Sequence, residues 1–238
     1  MKVHTPEIKM NTLVMKFGGT SVGTPDAMRQ VVSIVKNEKS RWKNVVVVTS
    51  VLSGITDMLL KMAVQSPEID AHTLEKNAVE IARKHEEIAK ALIKDPVLAR
   101  KVNRQINEIL DQVVNLCKAI TVLGESTPRV MDVVASAGER MCIPLLAAAL
   151  QSADIPAEAI EATRLIVTDD HYNDAHPDFA KTKKLTCKVL EPILEMGIVP
   201  VITGFVAATE SGNITTLGRG GSDYSAAIIG AALPADEV

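Results

Sequence analysis

Residues 16–21, Lys-Phe-Gly-Gly-Thr-Ser, place one cation beside two glycines and two hydroxyls, between an apolar run and a helical pattern. Glycine lets backbone N–H groups approach a ligand with no Cβ in the way. A helix start aims free N–H groups and the positive dipole end at the same point. With Lys16 added, the loop Gly18-Gly19-Thr20 suits a polyphosphate. The lysine precedes the glycines, so this is not the GxxxxGK[ST] loop. Taken alone, the stretch is equally a tight strand–helix turn carrying a solvated lysine.

A second bare turn lies at 216–223, Thr-Leu-Gly-Arg-Gly-Gly-Ser-Asp. Arg219 offers a planar fork matched to a carboxylate or phosphate. Gly220 and Gly221 open the backbone, and Asp223 is a candidate to orient Lys16 or a substrate ammonium, or to hold Mg²⁺ through water. Capping of the next helix by Ser222 and Asp223 is the alternative. Two such loops in one chain are less expected by chance than either alone. Glu139 in "SAGER" is a candidate grip for an ammonium group, near a helix start after Gly138; as an isolated feature it reads as an exposed helix glutamate. Ser50, Ser53 and Thr56 are candidates to bond a small polar substrate, or simply a loop and cap. His171, Asp174 and His176 match no zinc spacing and read as a polar loop.

The elements that must position these groups follow an α/β pattern. Residues 12–17 and 44–50 read as buried strands, the second a β-branched run typical of a central parallel strand. Helical patterns at 24–37, with Thr24 as cap and Pro25 in its first turn, and at 53–65 follow them. Residues 70–120 change character. Val79, Ala82, Ile88 and Leu92 recur at helical intervals, then Val102, Ile106, Ile109, Val113, Leu116 and Ile120, with Asp95-Pro96 between. This reads as a helical hairpin inserted into the α/β pattern. Residues 126–152 read as two helical stretches around Ala137-Gly138. Strands are expected at 155–162, 165–168 and 198–205, and helices at 178–197 and after the 216–223 turn.

Composition narrows the function classes. Twenty-six Lys and Arg against 29 Asp and Glu leave a charge of −3, so no basic surface for nucleic acid is indicated. Aromatic residues, at 3%, are too few for stacking platforms. Cys117, Cys142 and Cys187 are odd in number and lack a CxxC, which points to reduced thiols in a cytoplasmic protein rather than disulfides or zinc. The N-terminal residues 1–11 lack an apolar leader core, and no apolar run reaches membrane-spanning length. The expectation is therefore one domain acting on a small molecule, with no membrane and no nucleic-acid partner.

Together these stretches resemble the aspartokinases of the amino-acid kinase superfamily. The resemblance rests on "KFGGTSV" (16–22), "SGIT" (53–56), "PRVMDVVASAGE" (128–139), "TDDHYNDAHPD" (168–178), "VITGF" (201–205) and "TTLGRGGSDYSAA" (215–227), in the family's order across nearly the whole chain. It implies a three-layer αβα sandwich with a mainly parallel central sheet and a helical insertion. It also implies transfer of the ATP γ-phosphoryl group to the side-chain carboxylate of L-aspartate, at the entry to lysine, threonine and methionine synthesis. Residue by residue, it puts Lys16 and Asp223 in catalysis, and Lys16, Gly18, Gly19, Thr20, Gly220 and Gly221 at the nucleotide phosphates. Ser50, Thr56, Glu139, Phe205, Arg219 and Ser222 fall at the aspartate site. Mg²⁺ is implied to be held mainly by ATP phosphates and water. Thr203 stands where the family usually has glutamine before Gly-Phe. The resemblance further implies a homo-oligomer, a C-terminal nucleotide-binding segment and two regulatory ACT-type domains, which are not in this sequence, so little or no turnover is expected of this chain alone. Another kinase of the superfamily with acetylglutamate or uridine monophosphate as acceptor, and a non-catalytic binding module, are the rival readings.

Overall fold

The computed structural model describes residues 10–238; the expectation of a polar start falls largely on residues 1–9, outside the described residues. In chain order the elements are β1 (Met10–Phe17), α1 (Gly19–Val22), α2 (Pro25–Arg41), β2 (Trp42–Thr49), α3 (Ile55–Gln65), α4 (Ala71–Leu92), α5 (Pro96–Leu123) and α6 (Pro128–Gln151). There follow β3 (Ala157–Ile160), a short 3-10 turn (Ala162–Arg164), β4 (Val167–Thr168), α7 (Phe179–Glu195), β5 (Val199–Thr203), β6 (Val206–Thr209), β7 (Ile214–Thr216) and α8 (Gly221–Ala232).

Four parallel strands form the main sheet in the order β1-β2-β5-β3. Strand geometry turns alternate residues to opposite faces, and the valine run of β2 shows both faces buried. Val45 and Val47 pack with Val199 and Val201 into a core shared with α2 to α6. Val46 and Val48 pack with Val14 and Ile202 into a second core, closed by Leu190, Ile193 and Leu194 of α7 and Ile228 and Ile229 of α8. This is the expected three-layer sandwich. A smaller sheet, β4-β6-β7, pairs β4 with β6 in parallel and β6 with β7 antiparallel. On the far edge of the main sheet, the Val14 N–H donates to the Glu237 carbonyl (3.0 Å) and the Thr12 N–H to the Asp236 carboxylate (2.8 Å).

The inserted hairpin forms as α4 and α5. Asp70 and Asp95 cap them by accepting from the Thr73 and Val97 N–H groups, and Pro96 stands in the first turn of α5. Its buried stripe differs in detail from the expected one. Val79 is 67% exposed, and α4 buries the expected Ile88 together with Leu74, Ile81, His85 and Ala89. The expected pair of helical stretches at 126–152 is one continuous helix, α6, buried along most of its length. It is long and apolar enough to cross a bilayer, yet serves here as the core helix of the sandwich. Gly138 does not break it, because the helix passes so close to the 50–55 loop that a Cβ at this position would overlap the Val51 side chain. Pro144, which cannot donate to the carbonyl one turn back, is also absorbed within it.

His85 makes the acid stability of the hairpin predictable. Its Nδ1 lies 2.8 Å from the Ile81 carbonyl and so carries the donated proton, leaving Nε2 buried without a partner. Burial pushes its ionisation down to about 4, against the smaller opposing pull of the Ile81 carbonyl. A depressed folded-state value means the stabilisation is complete above the unfolded value near 6.5 and is lost as pH falls through the folded one. The slope approaches ~1.4 kcal/mol per pH unit in that window. His85→Leu is expected to hold its Tm between pH 6.5 and 4 better than the parent chain does. Parallel melting curves for the two across that range would contradict this account.

Candidate active site

The parallel register of β1 and β2 places Phe17 opposite Thr49. The two chains therefore leave the sheet together at its C-terminal edge, where open α/β sheets bind ligands. The Ser50 N–H still donates to the Phe17 carbonyl (2.9 Å) beyond the last register pair. Here α8 brings in the second glycine turn. Lys16 Nζ lies 3.0 Å from Asp223 Oδ1, the lysine largely covered and the aspartate open to solvent (24% and 75% exposed side chains). Ser50 Oγ donates to Ser222 Oγ at 2.8 Å, a second tie between the turns across 172 residues of sequence. The capping alternative for Ser222 and Asp223 is not realised. The N-cap of α8 is Gly220, at φ +75° where a side chain is disfavoured, and no side chain caps the helix.

Between these turns lies a cleft of about 350 Å³. Lys16, Asp223, Ser222, Gly218, Gly220 and Gly221 are among the residues that line it. Ser50, Thr56, Glu139, Phe205 and Arg219 are the others. Gly18, Gly19 and Thr20 are not among the lining residues. They sit at the start of α1, with Gly18 directly beside the Lys16 ammonium: a Cβ there would stand 3.6 Å from Nζ.

Glu139 departs most from its sequence reading. It lies in the middle of α6, not near a helix start, and is 4% exposed. Its Oε2 has no hydrogen-bond partner. Burial pushes its carboxyl up to about 8, against weaker stabilisation of the charge by the backbone at Glu139 and Val51. A buried carboxylate oxygen without a donor is costly. The residue nonetheless lines the cleft.

Arg219 is exposed, and no group among the described residues pairs with its guanidinium. Phe205 stands between this cleft and a wider neighbouring one of about 570 Å³, whose lining includes Met131, Ala135 and Arg219. Its φ is +67°, an unusual conformation for a bulky residue. Both its peptide groups are held: its N–H donates to Ser225 Oγ (2.9 Å) and its carbonyl accepts from the Leu217 N–H (2.9 Å). Backbone strain of this kind is worth about 1–3 kcal/mol and gathers at ligand sites.

The remaining candidates fall outside the cleft. The His171 and His176 rings are 5.7 Å apart, with His176 Nδ1 3.2 Å from Asp169, in a polar loop. Among the described residues, no group of three or more His, Cys, Asp and Glu is placed to hold a metal. Cys117 and Cys142 are buried, their thiols pushed by burial up to about 11 and about 12, which suits core fillers rather than nucleophiles. Thr203, the departure from the family pattern, is fully buried and accepts from the Ala162 N–H at 2.8 Å, closing the 3-10 turn after β3. Sequence reasoning overlooked Asp132 and the strand β6, whose Val-Ala-Ala-Thr has little β-character.

Comparison with known proteins agrees with this geometry. The sequence pattern that defines the amino acid kinase family matches residues 11–238. Lysine-sensitive aspartokinase 3 of Escherichia coli K12 is 34% identical over 232 residues, covering 95% of this chain and 47% of that protein. The chloroplastic bifunctional aspartokinase/homoserine dehydrogenase 2 of Zea mays is 33% identical over 94% of this chain and 24% of its own length. The crystal structure of E. coli aspartokinase III in complex with aspartate and ADP superposes with a TM-score of 0.81 at 30% identity, over 95% of this chain and 47% of that one. The form bound to lysine and aspartate gives 0.82 at 29% identity, over 95% of this chain and 48% of that one. The chain thus spans about half the length of the first of these curated relatives. A pattern matched from residue 11 onward, on a sandwich whose two glycine turns meet at one sheet edge, makes this chain a member of the amino acid kinase family.

Proposed function

We propose that this chain carries the phosphate and acceptor sites of an aspartokinase. The reaction is transfer of the ATP γ-phosphoryl group to the side-chain carboxylate of L-aspartate, giving 4-phospho-L-aspartate in cytoplasmic amino-acid biosynthesis. The observation that carries the reading is that buried Glu139, one of whose oxygens has no partner, lines the same cleft as Arg219, whose guanidinium is unpaired among the described residues. An α-amino acid brings an ammonium for the first and a carboxylate for the second, and that pairing leaves its side chain to point toward Lys16.

The chemistry needs no general base, because the acceptor carboxylate is already ionised at neutral pH. The difficulty is bringing two anions together in line. Lys16, fixed by Asp223, and the uncapped N-terminus of α8 place positive charge where negative charge gathers around the transferring group. Ser50, bonded to Ser222, holds the two turns at a set spacing. Mg²⁺, when bound with the nucleotide, neutralises phosphate charge. Solvent-open Asp223 is the residue here suited to reach it through water.

Calorimetric titration with L-aspartate, N-acetyl-L-glutamate and uridine monophosphate tests the reading. Aspartate is expected to bind, and Arg219→Ala to weaken it by about 30-fold, the loss of a charge-assisted pair at an exposed arginine. N-acetyl-L-glutamate has no ammonium for Glu139, so tighter binding of that ligand than of aspartate would defeat the assignment.

A further inference from the structure

At the wider neighbouring cleft, whose lining includes Asp132, Asn173, Thr216 and Arg219, three segments distant in sequence meet at one carboxylate. Asp132 of α6 has no solvent exposure. Its Oδ1 accepts from Thr216 Oγ1 at 2.8 Å, and its Oδ2 from the Thr216 N–H at 3.1 Å. The Asn173 N–H donates to both oxygens at 3.1 Å. Both oxygens are therefore engaged, and by donors 41 and 84 residues away in sequence.

We propose that Asp132 is a positioning residue that sets the Arg219 turn at its working distance from Glu139; this rests on the aspartate-site reading above. Asp132 precedes Glu139 by seven positions on one continuous helix, about two turns, so both project from the same side of α6. Thr216 ends β7, three residues before Arg219. Asn173 adopts φ +71° in the 169–178 loop. That loop supports the turn from below: the Ala175 N–H donates to the Thr216 carbonyl (2.9 Å), and Asp174 packs so closely on Gly218 that a Cβ there would overlap it. One carboxylate thus fixes the strand end and its supporting loop to the helix that carries the ammonium site. Lys16 hangs from β1 of the main sheet, with the Gly18-Gly19 turn following that strand, and does not depend on this tie, whereas Gly220 to Asp223 follow Arg219 directly.

The asymmetry gives the test. In Asp132→Asn the amide NH₂ must face one of three donors whichever way it is turned, so the junction loosens. Aspartate affinity is expected to fall by about tenfold or more, as small displacements of a positioning group do. Affinity for Mg-ATP, measured separately, is expected to fall several-fold less than that for aspartate, because its phosphates also meet Lys16 and the Gly18-Gly19 turn, which hang from β1. Thr216→Val removes only the hydroxyl donor, keeps the backbone N–H, and is expected to show a smaller shift of aspartate affinity alone. It carries the test should Asp132→Asn fail to fold. Unchanged aspartate affinity, or an equal loss for both ligands, overturns the role and leaves Asp132 a stability residue. A parent chain that binds no aspartate instead overturns the functional reading and this inference with it.

Discussion

Lys16→Ala is expected to lower the single-turnover rate of phosphoryl transfer by about a thousandfold, ~4 kcal/mol of barrier, while aspartate affinity changes by no more than a few-fold. The lysine ammonium is held at the cleft by Asp223 and stands beside Gly18; in the proposed function it meets phosphate rather than the amino-acid end of the acceptor. Its charge is used most when negative charge crowds the transferring group, so its loss falls on the rate and not on acceptor binding. The fold is expected to survive, because Asp223, the partner left behind, is 75% exposed and remains solvated. The measurement mixes the protein in excess with ATP and radiolabelled aspartate and traps the acyl phosphate with hydroxylamine as the labelled hydroxamate, releasing phosphate. An unchanged trapping rate, or a rate loss matched by an equal loss of aspartate affinity, would remove Lys16 from the phosphate site.

Why Lys16 was legible and Asp132 was not is a matter of where their partners lie. The two glycine turns declare themselves locally, since backbone that must approach a ligand closely needs residues without Cβ, and those residues are adjacent in sequence. The valine run of β2 likewise states that both faces of the strand are covered. The donors to Asp132 come from a loop and a strand end that only the folded topology brings to α6. No periodicity or spacing encodes that meeting. The expected break at Ala137-Gly138 failed for a related reason. Local propensity treats glycine as a helix weakener, whereas the contact that demands glycine is the Val51 side chain, far away in sequence. Phe205 was marked by resemblance alone. Its left-handed backbone is imposed by Ser225 and Leu217, which grip its two peptide groups from α8 and the turn before it.

The same topology explains why the site costs the molecule stability. A carboxylate placed mid-helix among apolar neighbours would be excluded from an ordinary core, yet Glu139 sits on α6 between Gly138, pressed to Val51, and the buried Cys142. Its environment favours the neutral acid, so under the proposed function the position serves binding at the expense of the empty protein.

That conflict yields the second large effect. With its carboxyl pushed by burial up to about 8, Glu139 is protonated in the empty protein at pH 7. An entering ammonium requires the carboxylate, so aspartate binding is expected to release close to one proton at pH 7, and affinity to rise by up to about tenfold per pH unit from 6 toward 8. Calorimetry in buffers of different ionisation enthalpy counts that proton directly. Glu139→Gln keeps the shape and removes the charge. It is expected to abolish the proton release and weaken aspartate by about 10²-fold, the ~3 kcal/mol of a charge-assisted bond to a buried group. The effect on the empty protein has the opposite sign. A folded-state value raised above the unfolded 4.5 gives stabilisation that is complete below 4.5 and lost as pH rises through 8. The glutamine variant escapes that loss, so at pH 8.5 it should melt higher than the parent chain while binding aspartate worse. A variant that melts lower and still releases a proton on binding would show that the ammonium is held elsewhere.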